Sequence, residues 1–479
     1  MLPIDFKNRM RKMLGDAESQ RLFDTIENEP AVRSFRVNRV KVSRDDFEAS
    51  EPQIDRRAMT FPEGAYYTEE SFPGSLPCHH AGMIYMQDPS AMATVHAVKI
   101  DEGSKILDSG SAPGGKTTQL AAFAGDGGVV VANEYDSKRC RILQGNVERM
   151  GCRNTIVVNL DTTVLAETYP EKFDVVLCDA PCSGEGMFRK NDRAVDEWSL
   201  ENVEMCAERQ REILTNVAKC VAPGGKLIYS TCTFSLEENE MNVEWLLDSF
   251  PEFELAEVLP ELFDVTSDGI CFEGCRYDMT KTRRFYPHVS KGEGQFIAVF
   301  RKNGEKSLSN FAELRSNKKN KKKTSTPDRI SKEDAELLKL AEEFLRENLQ
   351  KDFAKGVKYR LMSLNGRAFL NPETELPEYG VFAAGVCVGE TVGRRFAPHH
   401  QLFSAFGKSF LRRVELKQNE KKTLEYLKGL EISVEDCAVS EEKPNGWAAV
   451  LIDGCPVGGG KISEGVCKNH YPKGLRNQQ

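Results

Sequence analysis

Between residues 96 and 302 the chain alternates short apolar runs with longer stretches of helical spacing. The apolar runs are Ile106-Leu107, Val129 to Ala132, Ile156 to Val158, Val175 to Cys178, Leu227 to Ser230 and Phe296 to Phe300. Each is short enough for a strand and lacks the polar alternation of a half-wet sheet, so each predicts a strand buried on both faces. Between them, Ser137 to Met150 reads as a helix. Gln210, Ile213, Leu214, Val217, Ala218 and Val221 fall on one face of another. Strand and helix in alternation predict a parallel α/β sheet. Pro223-Gly224-Gly225 reads as the turn into the fifth strand, and Ser235-x-x-Glu238 as a capping box for the helix after it.

The flanks have different patterns. Residues 1 to 28 place Phe6, Met10, Met13 and Leu14 at helical spacing. Ser34 to Val42 alternates apolar with basic and polar residues, which predicts a strand with one wet, positive face. Gln87-Asp88-Pro89 marks a helix start leading into the sheet. Residues 303–332 are polar and Lys-rich and read as a flexible basic linker. A helix around Asp334 to Leu349 then opens a last unit of short strand-like runs, where nothing looks catalytic. The expected division is 1–95, 96–302, 303–332 and 333–479.

Composition narrows the class. A chain of 479 residues with 40% apolar and 29% charged content suits a multi-domain globular protein. No run reaches the length of a membrane span, and the start lacks a secretory core, so a cytoplasmic protein without a membrane partner is expected. The 14 cysteines then stay reduced, and none forms the paired C-x-x-C spacing of a zinc site, so no metal is expected. A net charge of −8 excludes a basic coat for nucleic acid, yet two local clusters are basic. One is Arg33, Arg36, Arg39, Lys41 and Arg44; the other is Lys318, Lys319, Lys321, Lys322 and Lys323.

The chemistry gathers where strands end. After Ile106-Leu107-Asp108 comes a small, Gly-rich turn, Gly110, Ser111, Ala112, Pro113, Gly114 and Gly115, and then Lys116-Thr117-Thr118. Strand, glycine turn and helix make a nucleotide site in open α/β sheets. Gly110 to Thr117 also fits the phosphate-loop pattern, and Val175 to Asp179 resembles its magnesium-binding strand, so an ATPase is a rival. Against it, Pro113 removes an N–H from the cradle. Glu134 ends the second strand, where an acid holds ribose hydroxyls, and Asp161 ends the third, placed for an adenine amine. Acids at successive strand ends favour a positive sulfonium, S-adenosylmethionine, over a triphosphate. Asp179-Ala180-Pro181-Cys182 and Ser230-Thr231-Cys232 each add a cysteine. Cytosine carbon 5 becomes nucleophilic only when a thiolate adds at carbon 6, and that route needs a cysteine nucleophile, an acid near the ring nitrogen and a group assisting elimination.

The set SAPGGKT, DAPCSGEG and STCT resembles the Nol/Nop/Sun family of RNA cytosine-5 methyltransferases. Asn469 to Arg476 and the opening Leu2-Pro3 through Asn38 are similar to its bacterial RsmF branch, which methylates small-subunit ribosomal RNA. The resemblance implies a Rossmann-like class I methyltransferase sheet, an N-terminal RNA-recognition-like α+β module and a C-terminal PUA-like α+β domain. It implies Cys232 as nucleophile, Cys182 as the group releasing the product, and Asp179 as the residue orienting and protonating cytosine. Gly110 to Lys116, Glu134, Asp161 and Asp179 would bind the donor. Gly110 departs from the family, which often carries cysteine or another small residue there. Pro181-Cys182 is a rival nucleophile, because DNA cytosine methyltransferases take theirs from a Pro-Cys motif. The expectation is an S-adenosylmethionine-dependent RNA cytosine-5 methyltransferase, monomeric, acting on 16S ribosomal RNA. The rivals are a phosphate-loop ATPase and a catalytically silent ribosome-assembly protein.

Overall fold

The computed structural model describes residues 1–50, 52–305, 331–355, 357–435 and 445–477. The five expected parallel strands are Lys105–Asp108, Val129–Asn133, Thr155–Val158, Phe173–Asp179 and Val221–Thr231. In space they lie in the order third, second, first, fourth, fifth. The order reverses between the first and fourth strands, which opens a crevice beyond their carboxyl ends. Gln295–Lys302 lies antiparallel to the fifth strand, with Arg283–Phe285 and Ser267–Asp268 paired beyond it. Successive residues of each strand feed opposite cores: Ile106, Val130, Val175 and Ile228 one face, Leu107, Val131, Val176 and Leu227 the other. That two-sided burial is why the runs are continuously apolar.

A strand from far along the chain, Val381–Ala384, adds antiparallel to the edge strand Thr155–Val158. The C-terminal part also holds the helix Lys332–Asn348, a four-stranded sheet between 360 and 398 and a five-stranded sheet between 413 and 469. The five-stranded sheet shares one core with the N-terminal sheet: Phe35, Val37 and Tyr66 pack with Val414, Tyr426 and Val450. The two ends of the chain therefore bury each other's apolar faces. Residues 306–330, most of the expected linker and all five of its clustered lysines, lie outside the described residues. Among the described residues no helix is long and apolar enough to cross a membrane.

The first stretch is helical as expected, in two helices, Ile4–Leu14 and Asp16–Asn28, that meet at Gly15 with φ of +79°. Two local expectations are corrected. The basic strand ends at Val37, and its positive face is not wet. Arg36 is buried, donating to Gln87 Oε1 at 2.8 Å, to the Gly115 carbonyl at 2.7 Å and to Thr118 Oγ1 at 2.8 Å. Lys41 is buried too, donating to the Ala81 carbonyl at 2.9 Å, Ser404 Oγ at 3.0 Å and the Pro456 carbonyl at 2.6 Å. Both are consumed in fastening the N-terminal module to the rest of the chain. Finally, Ser235 and Glu238 form no capping box: the helix begins at Glu240 with Asn239 before it, and Ser235 Oγ donates to Glu185 at 2.7 Å.

Lys41→Met is expected to strand three acceptors on three segments and to lower stability by about 2 kcal/mol, read as a drop in the urea midpoint. Burial pulls the Lys41 amine down to about 7 from its ordinary 10.5, so the unfolded chain binds its proton more tightly. Wild-type stability relative to the variant should therefore rise with pH between those two values.

Candidate active site

The glycine turn leaves the first strand beside Asp108 and enters the helix Gly115–Ala124. Gly114 stands at φ +111°, a conformation that L side chains rarely adopt, and a Cβ on Gly110 would meet the Asp179 carbonyl at 2.7 Å. The turn is therefore pressed against the tip of the fourth strand. Its carbonyls are held from the other side: Arg139 donates to Ala112 at 2.9 Å and Asn146 to Pro113 at 2.8 Å. Asn133 spans the strand tips, donating to the Ser109 and Leu160 carbonyls at 3.2 Å each.

The side chains that a phosphate loop would offer its ligand are committed elsewhere. Lys116 Nζ pairs with Asp179 Oδ2 at 2.7 Å. Thr117 Oγ1, which would face magnesium, donates to Asp108 Oδ2 at 2.7 Å. Burial pushes the Asp108 carboxyl up to about 7, and its other oxygen has no hydrogen-bond partner. Burial alone would lower Lys116, but the Asp179 carboxylate raises it above its usual value. A site with its lysine neutralised and carboxylates beneath the loop is poorly matched to a triphosphate. Among the described residues no grouping of His, Cys, Asp or Glu is placed to hold a metal ion.

The other acids take distinct positions. Glu134 is buried; it accepts from the Asp136 amide at 2.9 Å and lies 3.5 Å from the Arg139 guanidinium. Asp161 is exposed and caps the helix Thr162–Thr168 through the Thr163 amide at 2.8 Å. Asp179 is the best connected. Besides Lys116 it accepts from Ser230 Oγ at 2.6 Å and from Gln295 Nε2 at 3.3 Å.

The fourth and fifth strands are parallel neighbours with Asp179 opposite Ser230, so their loops leave the same edge together. That register brings Cys182 Sγ and Cys232 Sγ to 3.1 Å, both half-buried. The Cys232 amide also donates to Cys182 Sγ at 3.3 Å. The hydrogen bond to the Cys232 sulfur, with burial, holds the Cys182 thiol well above the usual range.

Two carboxylates that sequence reasoning missed hold this pair together. Glu185 is fully buried and accepts from Thr233 Oγ1 at 2.9 Å, the Phe234 amide at 2.8 Å, Ser235 Oγ at 2.7 Å and Trp198 Nε1 at 3.0 Å. It thus ties the loop after Cys232 to the loop after Cys182. Glu238, also fully buried, accepts from the Ser183 amide at 3.0 Å, Ser183 Oγ at 2.5 Å and Gln210 Nε2 at 2.8 Å. Burial pushes its carboxyl up to about 7, and the Glu185 charge adds to the shift. The one available signal was that both acids follow a cysteine within a few residues, Glu185 in a stretch otherwise apolar or small and Glu238 among other acids.

Models of protein families match the chain in three consecutive places. Residues 2–89 match the N-terminal domain of 16S rRNA methyltransferase RsmF, residues 95–301 match 16S rRNA methyltransferase RsmB/F, and residues 413–477 match the methyltransferase RsmF PUA domain. The chain belongs to the RsmB/F methyltransferase family. Relatives of this RsmB/F chain include the ribosomal RNA small subunit methyltransferase F of Erwinia tasmaniensis, 36% identical over 310 residues, which are 63% of each protein. The protein of the same name from Vibrio vulnificus is 35% identical over 63% of this chain and 64% of its own length. The match thus spans just under two thirds of either relative. Among solved structures, a methyltransferase homolog protein from Pyrococcus horikoshii has a TM-score of 0.55 at 30% identity over 62% of this chain and 94% of that one. NSun6 from the same organism, solved with SFG, has a TM-score of 0.52 at 22% identity over 63% and 99%, a likeness of fold. The RsmB/F chain thus has the Rossmann-like sheet, N-terminal module and PUA domain expected of it.

Glu238→Gln keeps the shape and removes the titration. The folded carboxyl holds its proton up to about 7, against an ordinary 4.5, so wild-type stability should fall relative to the variant as pH rises through that window. The relative loss should approach about 3 kcal/mol by pH 8, read from urea unfolding at each pH.

Proposed function

We propose that this protein is an S-adenosylmethionine-dependent RNA cytosine-5 methyltransferase acting on small-subunit ribosomal RNA. The observation that carries the reading is the pair of thiols 3.1 Å apart beside Asp179, at the edge of the glycine turn. Two thiols buried for packing alone would have no reason to meet at the carboxyl ends of neighbouring strands, over two carboxylates that fix their loops. The family matches and the names of the relatives support the ribosomal substrate.

The donor site fits a sulfonium nucleoside. A buried acid, Glu134, stands at the second strand's end to take ribose hydroxyls, Asp161 at the third can meet the adenine amine, and the turn Gly110, Ser111, Ala112, Pro113, Gly114, Gly115 and Lys116 leaves room for the ligand to approach the backbone. S-adenosylmethionine, when bound, supplies a methyl group on a positively charged sulfur, which the carboxylates of the rim favour.

The chain's own residues would manage the cytosine. Cys232 would add as thiolate to carbon 6, forming an S–C bond and moving electron density to carbon 5. The Lys116 ammonium lies near enough to the Cys232 sulfur for the two to interact electrostatically. Asp179, fixed by Lys116, Ser230 and Gln295, would hold the ring's N3 and amino edge and supply its proton. Cys182 would help remove the carbon-5 proton, after which the S–C bond breaks and Cys232 leaves as thiolate. Cytosine must be out of its stack to reach this crevice, which suits an enzyme flanked by RNA-binding domains. A monomer working in the cytoplasm is part of the proposal.

The decisive experiment supplies tritium-labelled methyl donor and small-subunit ribosomal RNA from a strain lacking the protein, with bisulfite sequencing of the product. Label in RNA and a newly protected cytosine are expected; ATP hydrolysis without transfer would reverse the reading. Cys232→Ala should abolish the covalent complex with RNA containing 5-fluorocytosine, seen as a shifted band on denaturing gels. Cys182→Ala should accumulate such a complex with ordinary RNA and lower turnover by at least about 100-fold. Exchanged phenotypes would exchange the two thiols' roles.

A further inference from the structure

At the seam between the N-terminal sheet and the catalytic sheet lies an open cavity of about 400 Å³. Its walls include Tyr67 and Phe61 from the N-terminal module, Ser90 from the helix Pro89–Thr94, and Phe285 and Lys291 from the segment before the last catalytic strand. Arg57 stands at the rim with its guanidinium 5.1 Å from the centre of the Tyr67 ring. Tyr67 is half-buried, so its ring is held by the module and still reaches solvent. Arg57 and Lys291 are exposed, and among the described residues neither has an ion-pair partner. Lys291 follows the short helix Pro287–Ser290 in the left-handed region, at φ of +51°. One acid, Asp264, also lines the cavity.

Two chain paths join this cavity to the thiols. From Lys291, four residues lead to Gln295, whose amide meets Asp179 Oδ1 at 3.3 Å; four residues extend at most about 14 Å. From Ser90, the capping Asp88 holds Lys190 at 2.9 Å, at the end of the segment that carries Cys182 and Glu185. The distance is short enough for neighbouring nucleotides of one strand to fill both places.

An aromatic face beside unpaired cations is the combination that binds single-stranded nucleic acid: the ring stacks a base and the cations meet its phosphate. We propose that this cavity takes the base of a nucleotide adjacent or nearly adjacent to the target cytosine, stacked on Tyr67, with the neighbouring phosphate held by Arg57 and Lys291. Asp264 then offers an acceptor to a base amino group. The proposal rests on the methyltransferase reading and assigns that enzyme a second RNA contact outside the catalytic pocket.

The test measures methyl transfer to small-subunit ribosomal RNA by wild type, Tyr67→Ala, Tyr67→Phe and Lys291→Gly, the last chosen because glycine accepts the positive φ. Tyr67→Ala should raise KM for RNA about tenfold with kcat nearly unchanged, and Tyr67→Phe should restore it. Lys291→Gly should flatten the dependence of log KM on log salt by about 0.7, the share of one phosphate on a single strand. KM for the methyl donor should not move in any variant. An unchanged RNA KM in Tyr67→Ala, or an equal rise in donor KM, overturns the proposal. If wild type itself transfers no methyl group, the methyltransferase reading fails instead. The cavity is then judged by the affinity of the same variants for single-stranded RNA, where equal affinities overturn it and a tenfold loss in Tyr67→Ala upholds it.

Discussion

Everything at the candidate site depends on one buried carboxylate held by neutral hydrogen-bond donors. Glu185 is removed from water and satisfied by four neutral donors, three from the loop after the fifth strand and one from a tryptophan. A buried carboxylate is tolerable only when its lone pairs are all used. That requirement works in reverse as a constraint on geometry: the loop after the fifth strand must run past the loop after the fourth at hydrogen-bonding distance. The sulfur-to-sulfur approach of 3.1 Å follows from it. The adjacent Glu238 repeats the device on Ser183, one residue from Cys182. Two acids so close resist being charged together, which adds to the upward shift of Glu238.

Much of this was legible in the chain because the relevant signals are local. A strand buried on both faces is written as a short apolar run, and the turn that follows it as glycines and an acid. The five parallel strands, the final antiparallel one and the convergence of Asp108, Asp179, Cys182 and Cys232 could be read in this way. What could not be read is a side chain whose partner is far along the sequence. Arg36 and Lys41 look like a solvated basic face; their acceptors lie 79 and 415 residues away, on Gly115 and Pro456. Ser235 and Glu238 have the spacing of a capping box, yet each is claimed first by the loops that carry the two cysteines. A cap is worth about 1 kcal/mol, and leaving a buried loop amide unpaired costs as much or more, so the loops win.

The phosphate-loop pattern illustrates the same limit. The pattern specifies residue types, and the chemistry depends on which groups remain free. Here Lys116 and Thr117 are present at the required spacing, but their donors end on Asp179 and Asp108. The difference lies in two carboxylates supplied by strand tips, one of them 63 residues downstream. Those carboxylates turn a turn that would cradle negative charge into one that prefers positive charge.

The position of Arg36 links the N-terminal module to this turn. It reaches from the N-terminal sheet to the first residues of the helix after the glycines, where it bonds the Gly115 carbonyl and Thr118. Burial lowers its pKa only to about 10, so the guanidinium stays charged at neutral pH and keeps its donors in place. The N-terminal module is in turn locked to the C-terminal sheet by a shared core and by Lys41. A displacement of either end of the chain must therefore move through a packed, hydrogen-bonded interior to reach the glycine turn. On the proposed reading, the flanking domains do more than raise local RNA concentration. They set the angle at which an unstacked base meets the two sulfurs, because the same side chains that hold those domains together also hold the floor of the donor site.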